Sequence, residues 1–343
     1  MWTRTDSGDT LRAALAKDKN DRVALTSVGI DDITWKQAPY IVGSGACMGT
    51  ADVVPGVSGG TMAVALGIYA RLLAAIASIN THSLRALLRF DLRRVLQLVH
   101  WRFVVCLLAG LLTAVVIMLK VVKLPHLIET KPTFVYAVFF GLVLASAIVL
   151  ARRLPEWTVW RGALLVLGAA MGFAVVNLVP VQTPEHPAFI FLCGVISICA
   201  MLLPGISGSF VLLILGKYEY ILNSVSQLLR ADLTQLGVVV PFALGCAVGI
   251  AAFARFLGWL LNKHEHPVIA WLVGLLIGSL WRIWPYQRLT TAEVRGKTRV
   301  IGNDPYFPES FEVGVAVLIV VGLATVLCIE HLAARRARQE APA

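Results

Sequence analysis

A Pro-Gly pair followed by serine, glycine and a second hydroxyl occurs twice in this chain. The first stretch is Pro55-Gly56-Val57-Ser58-Gly59-Gly60-Thr61. The second is Pro204-Gly205-Ile206-Ser207-Gly208-Ser209. Ser and Thr hydroxyls can donate to an anion or cap a helix, and glycine lets backbone N–H groups come close to a ligand. Where such a stretch opens a helix, the free N–H groups and the positive end of the helix dipole form a seat for an anion such as phosphate. The plainer reading is a Pro/Gly kink that packs helices closely. Two copies at matching positions favour the seat.

Several ionisable or phenolic residues accompany the two stretches. Asp52 lies three residues before Pro55. It would either carry a proton or cation, or hold the turn by accepting backbone N–H bonds; at membrane depth an ionisable side chain is a functional candidate by default. Arg71, Lys217 and Glu219 follow the turns. Arg71 and Lys217 could pair a phosphate, while Lys217 and Glu219 could equally be interfacial residues at a helix end. Arg255, close to Phe253 and Phe256, either snorkels or reaches a cavity. Tyr69 and Tyr218 hold matching positions and either donate to phosphate or pack.

Other chemistries find little support. There is no Ser/His/Asp arrangement, P-loop or HExxH, and Gly43 to Gly49 has small-residue packing character rather than a dinucleotide fingerprint. The six cysteines all lie in apolar runs without CxxC spacing, and His264-Glu265-His266 fits a short interhelical loop better than a metal site. Neither a cofactor nor a metal is expected.

The elements that must position these residues are helices in a bilayer. The chain has 343 residues, 58% of them hydrophobic and only 15% charged, against about 25% charged in a soluble protein. Mean hydropathy is +0.77. This composition is that of a multi-pass membrane protein. The net charge of +10 suits anionic headgroups and cytoplasmic Lys/Arg, so nucleic acid is not needed as a partner. Gln37 to Ala51, Val53 to Ala70 and Pro187 to Gly216 carry no charge. A Pro-Gly break inside such runs survives in a membrane only where it is buried in protein or lines a wet cavity.

The duplication extends beyond the turns. Gly45, Pro55, Ser58, Gly67 and Tyr69 recur 149 positions on, as Gly194, Pro204, Ser207, Gly216 and Tyr218. Further along, Gly110 matches Gly245 and Pro132 matches Pro267, while Gly141 matches Gly274 and Ser146 matches Ser279. The expected fold is an all-α polytopic membrane protein of two inverted repeats. Each repeat is a broken, re-entrant helical hairpin plus three transmembrane helices. Residues 1–36 form a cytoplasmic arm, 37–181 the first repeat, 182–330 the second, and 331–343 a cytoplasmic basic tail. Predicted spans cover Phe103–Leu119, Thr133–Ala151, Gly162–Val181, Leu233–Leu261, Pro267–Trp281 and Val313–Ile329. Trp281, Trp284 and Tyr286 should form an aromatic belt, and Tyr286 to Ser310 a polar loop. An odd number of crossings per half inverts the second half and puts both termini inside, as the basic loops Arg85–Arg102 and Arg152–Arg161 also suggest. The two turns would then meet near the midplane, an alternating-access arrangement.

The segments Met48–Tyr69 (MGTADVVPGVSGGTMAVALGIY) and Leu202–Leu222 (LLPGISGSFVLLILGKYEYIL) resemble the DUF368 family of bacterial membrane proteins, with the likeness covering about residues 38–330. Where relatives resemble GIYE at the end of the first motif, this chain has Ala70; the second copy keeps Glu219. The resemblance implies transport of a polyprenyl phosphate lipid, undecaprenyl phosphate, from the outer to the cytoplasmic leaflet of the bacterial plasma membrane for reuse in cell-wall synthesis, with coupling to protons or another ion. It leaves room for a homo-oligomer and does not imply an enzyme. Two rivals stay open. One is an undecaprenyl-diphosphate phosphatase-like enzyme, although those resemble PGxSRSG and Gly208 fills the Arg place here. The other is a transporter of small inorganic anions.

Overall fold

The computed structural model describes residues 33–54, 57–79, 83, 85, 89–178, 183–294 and 297–340. The N-terminal arm to residue 32, with its weakly amphipathic Leu11–Leu25 segment, lies outside them, as do Pro55 and Gly56.

The first half of the chain begins with α1 (Ala38–Asp52), α2 (Gly59–Ala65) and α3 (Tyr69–Ser78). A short basic surface helix α4 (Leu92–Leu98) leads into α5 (Trp101–Lys120), followed by α6 (Leu124–Thr130), α7 (Pro132–Ala151) and α8 (Val159–Val176). The second half has α9 (Pro187–Leu202), α10 (Gly208–Ile214), α11 (Tyr218–Leu228), α12 (Leu236–Lys263), α13 (Glu265–Ser279) and α14 (Val313–Glu340). Six of these helices, α5, α7, α8, α12, α13 and α14, are long and apolar enough to cross a membrane. The chain is an all-α, multi-pass membrane protein in its spans.

The hairpin helices are shorter. At 1.5 Å per residue α1 extends about 22 Å and α2 only about 10 Å, against roughly 30 Å of hydrocarbon. The chain also bends by 119° between α2 and α3. The cause lies in the sequence. Gly67 has φ +69° and Gly216 has φ +63°, a left-handed conformation that glycine adopts at little cost. Gly67 N–H bonds the Val64 carbonyl and Ile68 N–H the Ala63 carbonyl. Gly216 and Lys217 bond Leu213 and Leu212 in the same way. This is a Schellman ending, repeated 149 positions apart. Each repeat therefore has three hairpin helices, where the sequence suggested two.

The matched glycines do matched work. A Cβ on Gly45 of α1 would stand 2.1 Å from the Leu107 carbonyl oxygen of α5, and one on Gly110 of α5 would stand 1.9 Å from that of Val42. In the second repeat Gly194 of α9 meets the Phe242 carbonyl at 2.4 Å, and Gly245 of α12 meets that of Phe191 at 2.1 Å. Without a hydrophobic driving force in lipid, close backbone approach at small residues is what joins helices. Gly141 seals α7 to α14, and Gly274 seals α13 to α8, on the same principle. Across the repeats α7 packs on α13, and these two are the most buried spans. The outward faces of α5, α8, α12 and α14 carry exposed side chains such as Leu112, Val166, Val248 and Val320, as expected for helices that meet lipid.

One segment departs from the polar loop expected after α13. Gln287–Val294 (β1) and Lys297–Pro305 (β2) pair as an antiparallel hairpin. Tyr286 is also not part of an exposed belt. It is 4% exposed and packs with Trp284, Tyr306 and Phe311.

Candidate functional site

The two glycine-serine turns are in direct contact. Gly205 N–H donates to the Thr61 hydroxyl at 2.9 Å, and the Tyr69 hydroxyl donates to the Leu202 carbonyl at 2.7 Å. The Met201 carbonyl lies 3.0 Å from where a Gly60 Cβ would be. Residues of α2 thus seat on the turn between α9 and α10. From the other side, α13 brings Ser279 to 2.7 Å and the Leu275 carbonyl to 3.1 Å from a Cβ placed on Gly205, whose φ is +89°. No side chain fits there, so the second turn needs glycine twice over.

The turns differ in how they use their polar groups. In the first, Ser58 is the N-cap of α2 and accepts the Gly60 N–H at 3.2 Å. Asp52 Oδ1 accepts the Gly59 N–H at 2.7 Å. Ser58 and Thr61 are buried. Of the two roles open to Asp52, the turn-holding contact is seen.

In the second turn Met201 stands where Asp52 stands in the first, so Gly208 N–H has no carboxylate beside it. Ser207 is again the N-cap, but its hydroxyl makes no capping bond. It is hydrogen-bonded to the Ser209 hydroxyl at 2.8 Å instead. Ser209 is exposed and Ser207 half-buried. In the first turn Asp52 and Ser58 are engaged by nearby N–H groups and Thr61 by the second turn, whereas the second presents two adjacent hydroxyls outward.

The remaining candidates are placed further out. Lys217 is 3% exposed, and its Nζ donates to the Thr183 carbonyl at 2.7 Å and lies 5.4 Å from the Tyr220 ring. It ties the loop before α9 to the start of α11. Arg255 of α12 donates to Ala251 and, at 2.7 Å, to the Ile79 carbonyl that ends α3. A cation at a helix C-terminus satisfies a free carbonyl there. Arg71 is exposed on α3, and Glu219 lies in the first turn of α11. Tyr69 is buried between the repeats, whereas Tyr218 is exposed.

Sequence reasoning passed over Arg282. It lies on the short 3-10 turn Leu280–Ile283 that extends α13, and its guanidinium stands 4.6 Å from the ring of Phe210, the residue after Ser209. The available signal was an arginine at the end of an apolar run, between Trp281 and Trp284, which were read only as membrane anchors.

The sequence profile of the undecaprenyl phosphate translocase-like family matches residues 48–301. A polyprenyl-phosphate transporter of Vibrio cholerae is 35% identical over 243 residues, covering 71% of this chain and 76% of the relative. A polyprenyl-phosphate transporter of Staphylococcus aureus is 27% identical over 257 residues, 70% of this chain and 84% of the relative. No solved structure matches. The matched span includes both glycine-serine turns and the contacts between them, and the chain belongs to the undecaprenyl phosphate translocase-like (DUF368) family.

Proposed function

We propose that this chain transports polyprenyl phosphate, returning undecaprenyl phosphate from the outer to the cytoplasmic leaflet of the bacterial plasma membrane for reuse in cell-wall synthesis. The supporting observation is the contact of the two turns, Thr61 on Gly205 and Tyr69 on Leu202, at the junction of the two repeats, together with relatives that carry that name. A bare phosphate in hydrocarbon costs on the order of tens of kcal/mol, so the headgroup needs polar groups to replace its water along the way. Ser207 and Ser209 offer those groups on the open side, and the hydroxyls of Ser58 and Thr61 become available when the turns part. The lipid tail stays in the apolar surroundings throughout.

The arrangement suits two repeats of opposite orientation that rock about the α7–α13 contact, with both termini cytoplasmic. Asp52 gives a means of coupling. Its carboxylate holds Gly59 N–H, and protonation removes the charge that makes this bond strong, loosening the first turn. The chain acts as a transporter rather than an enzyme.

The test uses purified protein in sealed liposomes with polyprenyl monophosphate or diphosphate. Headgroup accessibility in each leaflet and release of inorganic phosphate are followed together, with a pH gradient in either direction. Movement of the monophosphate without release is the expected result. Release from the diphosphate would establish the phosphatase reading, and inorganic anion flux without lipid movement would establish the small-anion reading.

A further inference from the structure

Matched positions in the two halves have unmatched surroundings along one seam. α3 packs along α12. Leu73 of α3 is 2% exposed and Ala254 of α12 is 0% exposed. Arg255 closes the seam by donating to the Ile79 carbonyl at the end of α3, at 2.7 Å. At the start of α3 the Tyr69 hydroxyl reaches the Leu202 carbonyl of the other half at 2.7 Å. The counterparts of α3 lie 149 positions on, and those of α12 lie 135 positions back, on α5. α5 aligns with α12 over its whole length, pairing Val104, Val105, Gly110 and Lys120 with Val239, Val240, Gly245 and Arg255. A basic residue thus stands at the same place in both, inside or at the end of a candidate span, where a charge is costly and marks function.

The counterparts are apart. Among the described residues α11 makes no packing of that extent on α5. Leu222, which matches Leu73, is 42% exposed, and Leu119, which matches Ala254, is 47% exposed. Tyr218 and Lys120 are exposed, and among the described residues neither makes the bond that Tyr69 or Arg255 makes. The Leu228 carbonyl, which matches that of Ile79, accepts Ala231 N–H at 2.9 Å. Ala231 has φ +68° there, a conformation disfavoured for any residue with a Cβ. Exposed leucines are ordinary on lipid-facing helices, but a matched set buried in one half and open in the other is not.

We infer that α5 and α11 close as a second seam in the other state of the transport cycle. Lys120 then latches onto the Leu228 carbonyl and Tyr218 onto that of Val53, while Arg255 releases Ile79 and Tyr69 releases Leu202. This rests on the transport reading and on halves of opposite orientation. It adds the state that this structure occupies and the residues that change partners. With both termini cytoplasmic, the α3–α12 seam shuts the cytoplasmic end and the open α5–α11 side faces outward, where the lipid is collected. The two states are near balance because each makes one cation–carbonyl and one phenol–carbonyl bond, and packed interfaces switch between discrete arrangements. The bond between Thr61 and Gly205 tips the balance to the state seen, since Phe210 takes the place of Thr61 in the second half.

The experiment cross-links both seams in full-length protein in liposomes, with its six cysteines replaced by alanine and a short bifunctional maleimide as the probe. Arg255 bridges the Ala251 and Ile79 carbonyls, so Ile79→Cys with Ala251→Cys reports the first seam and leaves the arginine in place. The matched pair, Leu228→Cys with Val116→Cys, reports the second. The first pair should link fast and the second more slowly. Arg255→Gln should slow the first and speed the second by roughly tenfold, the shift that one lost charged hydrogen bond gives a two-state equilibrium. Lys120→Gln should slow the second pair to a similar extent, and Arg255→Lys should stay close to the parent. A second pair that never links, or an Arg255→Gln protein that loses the first link without gaining the second, would overturn the inference. Should the cysteine-free chain not fold, hydrogen exchange of wild type against Arg255→Gln decides. Protection should fall at the end of α3 and rise at the end of α11, and loss at both ends would overturn the inference. The transport reading fails differently, by seams that exchange while no polyprenyl phosphate changes leaflet.

Discussion

The Thr61 hydroxyl accepts the N–H of Gly205 at 2.9 Å, joining the two repeats where both residues are buried. Thr61→Val keeps the side-chain shape and removes the acceptor. It leaves a buried N–H unmet, which costs about 1–3 kcal/mol. Thermal unfolding should shift down accordingly, and a normal melting temperature would show that the bond does not hold the repeats together.

Gly205 is constrained by conformation and by space. Its φ of +89° and the Ser279 hydroxyl 2.7 Å from a Cβ position both oppose a side chain. Gly205→Ala should therefore be strongly destabilising, and adding Ser279→Ala should recover only the part due to contact. At Gly67 and Gly216 the positive φ costs about 1–2 kcal/mol for alanine at each, and at Gly67 a Cβ would also stand 3.2 Å from the Arg153 side chain, so both variants should melt lower than wild type.

Ser58 and Ser207 share a position in the repeat but not an environment. Ser58→Ala removes the cap on Gly60 N–H and should cost about 1 kcal/mol of stability. Ser207→Ala and Ser209→Ala remove no capping bond and should leave the melting temperature close to wild type. Equal losses at both positions would contradict the asymmetry of the turns.

Asp52 separates holding from titrating. Asp52→Asn can still accept the Gly59 N–H through its amide oxygen but cannot change charge. It should fold normally and transport with a flattened dependence on pH, measured in liposomes over a pH series. In wild type, transport should rise as falling pH protonates Asp52 and frees Gly59. Asp52→Ala should lose both turn stability and coupling. An unchanged pH profile in Asp52→Asn would remove Asp52 from the coupling step.

Lys217 is a buried lysine satisfied by a backbone carbonyl and an aromatic ring. Lys217→Gln should lower stability while leaving the affinity for farnesyl phosphate within about twofold, since hydrogen-bonding effects on binding need contact with the ligand. A large loss of affinity at unchanged stability would return Lys217 to the phosphate.

Much of the fold could be read from the sequence because a membrane enforces simple rules. Apolar length placed all six spans to within a few residues, and the recurrence of Gly45, Gly110 and Gly141 as Gly194, Gly245 and Gly274 marked a duplication, while the helix contacts these glycines make came only with the structure. What periodicity could not give was the third hairpin helix in each repeat, because Gly67 and Gly216 read as ordinary small residues until their φ is known. The β1–β2 hairpin was hidden by its polar composition. At the site, Ser and Gly types announced the turns, but their unequal exposure depends on Asp52 against Met201 and on packing across 140 and more residues, as at Thr61 and Gly205. Arg282 was hidden for the same reason: its relation to Phe210 is tertiary.

The central claim is that the phosphate headgroup passes where the two turns meet, on the hydroxyls of Ser207 and Ser209. The most direct measurement is the rate at which polyprenyl phosphate changes leaflet in sealed liposomes, with wild type compared to the Ser207→Ala, Ser209→Ala double variant. The account predicts a fall of roughly tenfold or more, on the scale of losing positioned donors to a charged group, in a protein that still melts like wild type. A double variant that moves the lipid at the wild-type rate would contradict it.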